Sequence, residues 1–186
     1  MKLWLNFVGY EIVWFVAVIG AARGLTWPGV LAVALFALWQ CAVSSRRLTE
    51  LKLMALAVGC GLVLDGFLAA SGMVRYAVPY PSLPPGGAPL WILALWVAFA
   101  LTLTQCLRYL QKNLWVAALF GGVGGPLVFW CAGRAWGVVH FPAPSGHELT
   151  ALAVGWGLAM PLLAGMARRW SAGTPRPWTE ATHEHV

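Results

Sequence analysis

Long apolar runs divide this sequence into six segments, each close to the length that a helix needs to cross a bilayer. An α-helix rises about 1.5 Å per residue, so about 20 apolar residues span the hydrocarbon core. Connections of unequal length separate the runs, two of them long and rich in proline and glycine, and a polar tail follows the last run. The pattern therefore predicts an all-α fold, a polytopic membrane helix bundle with six transmembrane helices. The predicted helices cover residues 3–21, 25–44, 51–71, 89–110, 114–132 and 149–166.

The basic residues predict how this bundle is oriented. Nine of the twelve lysine and arginine residues lie at the N-terminus, in the second and fourth connections or after the last segment. Cytoplasmic connections carry an excess of these residues, so we expect both termini to be cytoplasmic. We expect residues 1–170 to form the six-helix transmembrane domain. Residues 171–186 should form a disordered cytoplasmic tail, because they combine prolines with the lack of an apolar period.

The first segment has the basic start of a signal peptide, but its apolar core is interrupted by Asn6, Tyr10 and Glu11. Five further apolar segments follow it instead of a secreted domain. We therefore expect this segment to be retained as a membrane helix.

Composition narrows the choice of partners and cofactors. Hydrophobic residues make up 60% of the chain and charged residues 10%, with a mean hydropathy of +0.74, which a water-exposed surface could not carry. The net charge of +6 sits at helix ends, where basic side chains reach lipid headgroups, so we expect membrane lipid and not nucleic acid as a partner. A protein partner stays open. The four cysteines lie inside apolar segments, which predicts neither disulfides nor a metal site, and no motif indicates a cofactor.

Two carboxylates, Glu11 and Asp65, fall inside predicted spans, where a charged group costs about 2.5–3.5 kcal/mol at mid-helix. Six polar residues reach the depth of Glu11 in the cytoplasmic half, which allows one polar cluster there: Asn6, Gln40, Thr102, Thr104, Gln105 and Arg108. Asp65 lies in the outer half, where depth makes Arg134 its expected partner. Each carboxylate has two interpretations, a ligand or proton site and an interhelical hydrogen-bond network that only fixes packing.

The fifth segment contains a glycine-rich run over residues 121–126, which ends in Gly124, Gly125 and Pro126. Glycine weakens a helix, and proline leaves a carbonyl one turn earlier without its partner. The run is either a small-residue face for close helix packing or a break whose backbone lines a binding cavity. The proline-rich connection 73–88 leaves a similar choice between a strap that spans a distance and a lid.

Several stretches carry a resemblance to a known family: Asn6-Phe7 with Tyr10 and Trp14, residues 20–24, Leu64-Asp65, residues 88–100 and Gly124-Gly125-Pro126. In order and spacing, over about residues 3–165, they resemble bacterial inner-membrane proteins grouped as domain of unknown function 2878. The resemblance implies a multi-pass protein of the bacterial inner (cytoplasmic) membrane, with no established activity. The family commonly has Asn-His-Ser where this chain has Thr104-Gln105-Cys106, which weakens any site built on the fourth span. Its members are often encoded beside lipid-modifying methyltransferases and flavin-dependent oxidoreductases, which implies a link to fatty-acyl chemistry.

From these observations we predict an accessory or enzymatic component of fatty-acyl modification or envelope maintenance, centred on Asp65 and the glycine run. The alternative is a small-solute binding or transport protein of the substrate-capture type. That alternative predicts an outward-facing cavity under the connection 73–88, lined by Asp65, Tyr76, Tyr80, Trp130 and Arg134. A third interpretation, a purely structural bundle, predicts no cavity.

Overall fold

The computed structural model describes residues 2–142 and 146–172, and six α-helices account for most of this part of the chain. Four of them, α1, α3, α5 and α6, are long and apolar enough to cross a membrane, whereas α2 and α4 are shorter. The predicted all-helical fold is therefore confirmed. Residues 173–186, most of the predicted tail, lie outside the described residues. The helices are α1 (Lys2–Ala22), α2 (Trp27–Val43), α3 (Arg47–Ala70), α4 (Leu90–Ala100), α5 (Leu114–Trp136) and α6 (His147–Ala172).

The short helix α4 lies at the centre of the bundle. It packs against α1, α2 and α3, and eight of its eleven residues are buried. A helix that is apolar on every side is typical of such an interior position. The helices around it leave large apolar side chains on the surface, among them Trp4, Val63 and Leu158, which are 73%, 75% and 68% exposed. An apolar surface of this extent suits lipid rather than water.

The predicted fourth helix, residues 89–110, is wrong in its second half. α4 ends at Ala100, residues 101–107 form turns, and a 3₁₀ turn follows at Arg108–Lys112. Local hydrogen bonds account for the early end. The Thr102 hydroxyl donates to the Phe99 carbonyl over 2.6 Å, and such bonds from a threonine side chain compete with the helical ladder. The residues that follow α4 are nevertheless buried, since Leu101, Thr102 and Leu103 are at most 1% exposed.

We call the end of the bundle that holds the connections 44–46 and 101–113 the inner end, and the opposite end the outer end. At the outer end, two pairs of two-residue strands fold the connections over the helices. β1 (Arg75–Tyr76) pairs with β4 (Val139–His140), and β2 (Ser82–Leu83) pairs with β3 (Ala88–Pro89), both antiparallel. The indole N–H of Trp91 donates to the carbonyl of Val78 over 3.0 Å. The connection 73–88 is thus fastened to the bundle as a cap.

The glycine run does not break α5, which is one continuous helix from Leu114 to Trp136. Gly121 and Gly125 face α6, and a Cβ atom on either of them would overlap Trp156, with Met160 also in the way at Gly121. Small residues at this spacing let two helices approach closely. Of the two interpretations of the run, the packing face is the one that the structure contains.

Candidate functional site

An apolar cavity of about 250 Å³ lies between α1, α4, α5 and α6. Cys106 and Leu107, from the turns after α4, line it toward the inner end. Toward the outer end it is lined by Trp14, whose ring packs edge-on against Trp136 with centroids 5.6 Å apart. The early end of α4 and the glycine face of α5 together leave this space inside the bundle.

The cavity opens sideways, between α1 and α5. Phe7 on α1 and Phe120 and Val128 on α5 line the cavity and are still 44%, 41% and 44% exposed on the protein surface. These three side chains therefore form the rim of a mouth. The mouth faces the apolar flank of the bundle and not either of its ends.

Two stacked indoles form the back wall. The rings of Trp96 on α4 and Trp156 on α6 are 4.2 Å apart between centroids and tilted by 9°. Glycines make room for both rings, because a Cβ at Gly61 would overlap Trp96 and a Cβ at Gly125 would overlap Trp156. Phe99 packs edge-on against Trp156 with centroids 5.4 Å apart. Substitution of either glycine would therefore displace the back wall.

Asp65 is hydrogen-bonded to one of the two indoles of this back wall. Its side chain is fully buried and accepts two hydrogen bonds, one over 2.6 Å from the indole N–H of Trp96 and one over 2.7 Å from the hydroxyl of Tyr76. Burial, the negative charge of Asp65 and the hydrogen bond to it raise the pKa of Tyr76 well above its ordinary value, so its hydroxyl keeps the proton that it donates. Asp65 does not itself line the cavity; it positions Trp96, which does.

The expected pairing of Asp65 with Arg134 is wrong. Arg134 is exposed, and its guanidinium group lies over the ring of Trp130, 5.6 Å from the centroid. The helices explain the difference, because α3 packs mainly on α4 and α6, while α5 packs mainly on α6. Arg134 therefore matches Asp65 in depth but lies on another side of the bundle.

A few side chains with polar groups border the cavity. Glu11 and Tyr10 line it from α1, and Cys106 lines it from the turns after α4. The indole N–H of Trp156 is buried and has no hydrogen-bond partner among the described residues. A buried donor without a partner is costly, so a ligand atom that accepts from it would gain more than an ordinary hydrogen bond.

The other predicted site residues are divided between two places. Gly124 and Gly125 line the cavity beside Glu11, while Pro126 lies inside α5 and does not line it. Gln105 is half-buried in the turns after α4 and is not part of the lining. Asn6 is buried, and its amide donates to the carbonyl of Leu101 over 3.5 Å. The expected polar cluster therefore forms only in part. Asn6, Gln40 and Thr104 gather around the Leu101 carbonyl and Glu50, whereas Glu11 lines the cavity without them.

Sequence reasoning missed the buried carboxylate of Glu50. It was assigned to a connection because the predicted third segment begins one residue later, but it lies in the first turn of α3 and is 1% exposed. A signal was present in the sequence. Glu50 precedes Leu53, Ala57 and Gly61 at spacings of three and four, which is the period of one helix face. All three of those residues are buried in α3.

The fold and the site together define an all-α protein of membrane type, with four helices able to cross a bilayer and a cavity that opens on its apolar flank. A family model described as protein of unknown function (DUF2878) matches residues 3–162. The chain therefore belongs to that family, as its resemblance predicted. None of the curated proteins and none of the solved structures matches the chain.

Proposed function

We propose that this protein is a bacterial inner-membrane protein that binds the acyl chain of a membrane lipid in the cavity between α1 and α5, as an accessory or enzymatic component of lipid modification. The observation that carries the proposal is the sideways opening of an apolar cavity on the apolar flank of the bundle. In this proposal all six helices lie in the membrane, and both termini are cytoplasmic.

The lining supports a ligand that is mostly hydrocarbon. Aromatic and aliphatic side chains make most of the wall, and the rim is formed by Phe7, Phe120 and Val128. In a bilayer such a rim would meet lipid tails directly, so a chain could enter without crossing water. Apolar pockets with a few placed polar groups are the usual form of small-molecule sites in proteins.

The polar groups support a ligand that also carries an oxygen function. In this proposal a carbonyl or ester oxygen of the ligand accepts from the indole N–H of Trp156, a side chain of the wall that has no other partner among the described residues. Glu11, on the opposite wall, offers a carboxyl group next to Tyr10. An ester or carboxyl end of an acyl chain would satisfy these groups, whereas a plain alkane would leave the Trp156 donor unpaired.

The solute-binding alternative receives less support. It required an outward-facing cavity under the connection 73–88, lined by Asp65 and Arg134. That connection is fastened as a cap, Asp65 is fully buried between Tyr76 and Trp96, and Arg134 lies on Trp130. The cavity that the structure contains opens on the flank instead.

The proposal can be tested by photocrosslinking with a diazirine-labelled fatty acid in the full-length protein. Met160 is fully buried and lines the cavity, so label on Met160 or Trp156 must come from a chain inside it. Gly124→Leu should block labelling of these α6 residues, because Gly124 lines the cavity and its Cβ would meet no atom within 4 Å. The larger side chain can therefore occupy the cavity without moving the backbone.

Gly59→Leu is the matched control. Gly59 is also a helical glycine with no atom within 4 Å of a Cβ, but it lies on α3 and away from the cavity. Labelling of α6 should persist in this variant. Equal labelling of Met160 and Trp156 in both variants, or label confined to exposed surface residues in the wild type, would contradict acyl-chain binding.

A further inference from the structure

A second polar cluster lies at the inner end, where α4 stops. Glu50 of α3, Gln40 of α2 and Asn6 of α1 meet there, and they are 1%, 2% and 1% exposed. The hydroxyl of Thr104 lies 3.4 Å from Oε1 of Glu50 and 3.5 Å from the carbonyl oxygen of Leu101. We call Glu50, Asn6, Thr104 and the Leu101 carbonyl the inner oxygen cluster. None of these four groups lines the cavity between α1 and α5.

Two acceptors in this cluster have no donor. Oε2 of Glu50 and Oδ1 of Asn6 are buried and make no hydrogen bond to any described residue. The side chains of Ser44, Thr104 and Gln40 supply donors near the Glu50 carboxyl group. Two basic residues of α3 are engaged elsewhere, since Arg47 donates to the carbonyl of Ala42 and Lys52 lies over the ring of Trp170. Besides these contacts, one buried acceptor oxygen on Glu50 and one on Asn6 stay unpaired among the described residues.

The end of α4 adds to these oxygen acceptors. A helix carries partial negative charge at its C-terminus, where its last carbonyls lack helical partners. The Leu101 carbonyl, just past that end, accepts long 3.5 Å bonds from Asn6 and Thr104. A buried carboxylate beside a helix C-terminus is unfavourable unless a positive charge lies with it. In membrane proteins, unwound backbone at the end of a half-helix commonly coordinates such a cation.

We infer that the inner oxygen cluster binds a small monovalent cation such as sodium. The spacing of the oxygens fits this occupant. Ligands that surround a hard cation at about 2.4 Å and at right angles are about 3.4 Å apart. The two contacts of Thr104, at 3.4 and 3.5 Å, have this spacing. One carboxylate balances one positive charge, whereas a divalent ion would leave a net charge buried.

The test is the thermal unfolding of the full-length protein in detergent, with sodium chloride compared with choline chloride at equal ionic strength. Binding to the folded state alone should raise Tm by roughly 3–5 °C when sodium is about ten times its Kd. The rise should saturate with concentration and be smaller for potassium. Glu50→Gln should abolish the response to sodium. Glu148→Gln, which changes a carboxyl group at the outer end of α6, should keep it.

Asn6→Leu and Thr104→Val serve if Glu50→Gln does not fold. Each removes one proposed ligand, so each should raise the sodium concentration at half-response by roughly tenfold, about 1.4 kcal/mol. No difference between sodium and choline in the wild type would overturn the inference and would indicate a protonated carboxyl group hydrogen-bonded to water. A sodium response that is unchanged in Glu50→Gln, or in both other variants, would also overturn it. These results test the cation site alone, because they do not depend on which ligand the cavity binds.

Discussion

Replacement of Asp65 by alanine should destabilise the protein through the two donors that it leaves behind. Asp65→Ala removes the acceptor of the Tyr76 hydroxyl and of the Trp96 indole N–H, both of which are buried. A buried donor left without a partner costs about 1–3 kcal/mol, so the two together cost about 2–6 kcal/mol. Loss of a buried carboxylate offsets part of this. We therefore expect the free energy of unfolding to fall by about 2–4 kcal/mol.

Reversible unfolding in mixed micelles, followed by circular dichroism, measures this change. Asp65→Asn keeps one acceptor oxygen and should cost less, about 1–3 kcal/mol. A double-mutant cycle between Asp65→Ala and Tyr76→Phe should give a coupling energy of about 1.5–3 kcal/mol, because the two changes break the same hydrogen bond.

Arg134→Ala is the control for this prediction, since Arg134 is exposed and contacts Trp130. It should change the free energy of unfolding by less than about 0.5 kcal/mol and should be additive with Asp65→Ala. Additive losses for Asp65→Ala with Tyr76→Phe, or a coupling of Asp65 to Arg134 above about 1 kcal/mol, would refute the hydrogen-bond account.

Three other predictions concern packing, orientation and physiology. Gly125→Val should lower the free energy of unfolding by about 1–3 kcal/mol in the same assay, because the new side chain overlaps Trp156. Gly124→Val should cost much less, because no atom lies within 4 Å of a Cβ at that position. Equal losses in the two variants would show that the α5–α6 contact is not tight. Reporter fusions after Arg47, Lys112 and Ser171 should give cytoplasmic activity, and a fusion at Gly86 should give periplasmic activity. A periplasmic signal after Ser171 would exclude the six-span topology. Deletion of the gene should alter the fatty-acyl profile of the cells, measured by mass spectrometry under membrane or oxidative stress. Gly124→Leu should produce the same change in that profile. An unchanged profile under both stresses would contradict a role in lipid modification.

The apolar pattern predicted the helical fold because burial in lipid or in the core demands the same long apolar runs. It could not predict where α4 ends, since the apolar run continues past Ala100. At that end the Thr102 hydroxyl donates to the Phe99 carbonyl, and the Asn6 amide of α1 donates to the Leu101 carbonyl. The second of these contacts joins residues 95 positions apart, so no local pattern reports it.

The candidate site was predicted in part. Gly124, Gly125 and Glu11 line the cavity. The glycines were singled out because a glycine run followed by proline weakens a helix, and Glu11 because a carboxylate inside a span is rare. Asp65 was singled out for the same reason, but its partners were not predicted, because depth along a helix does not indicate which helices are neighbours. Tyr76 reaches Asp65 from a connection that folds back over the outer end. Trp156 was missed, because no feature of the sequence distinguishes the tryptophan with an unpartnered N–H from the other eleven.

The sideways mouth between α1 and α5 has a thermodynamic consequence for any ligand that enters from a bilayer. A hydrocarbon chain that leaves the lipid phase for an apolar cavity exchanges one hydrocarbon-like environment for another, so water release contributes almost nothing to its affinity. Chain length alone should then be a poor determinant of which molecule binds. The cavity would distinguish one ligand from another by the fit of the ligand against the stacked rings of Trp96 and Trp156 and by the few ligand atoms that contact Trp156 and Glu11. The fraction of protein with bound ligand would follow the mole fraction of that ligand in the membrane rather than its concentration in water.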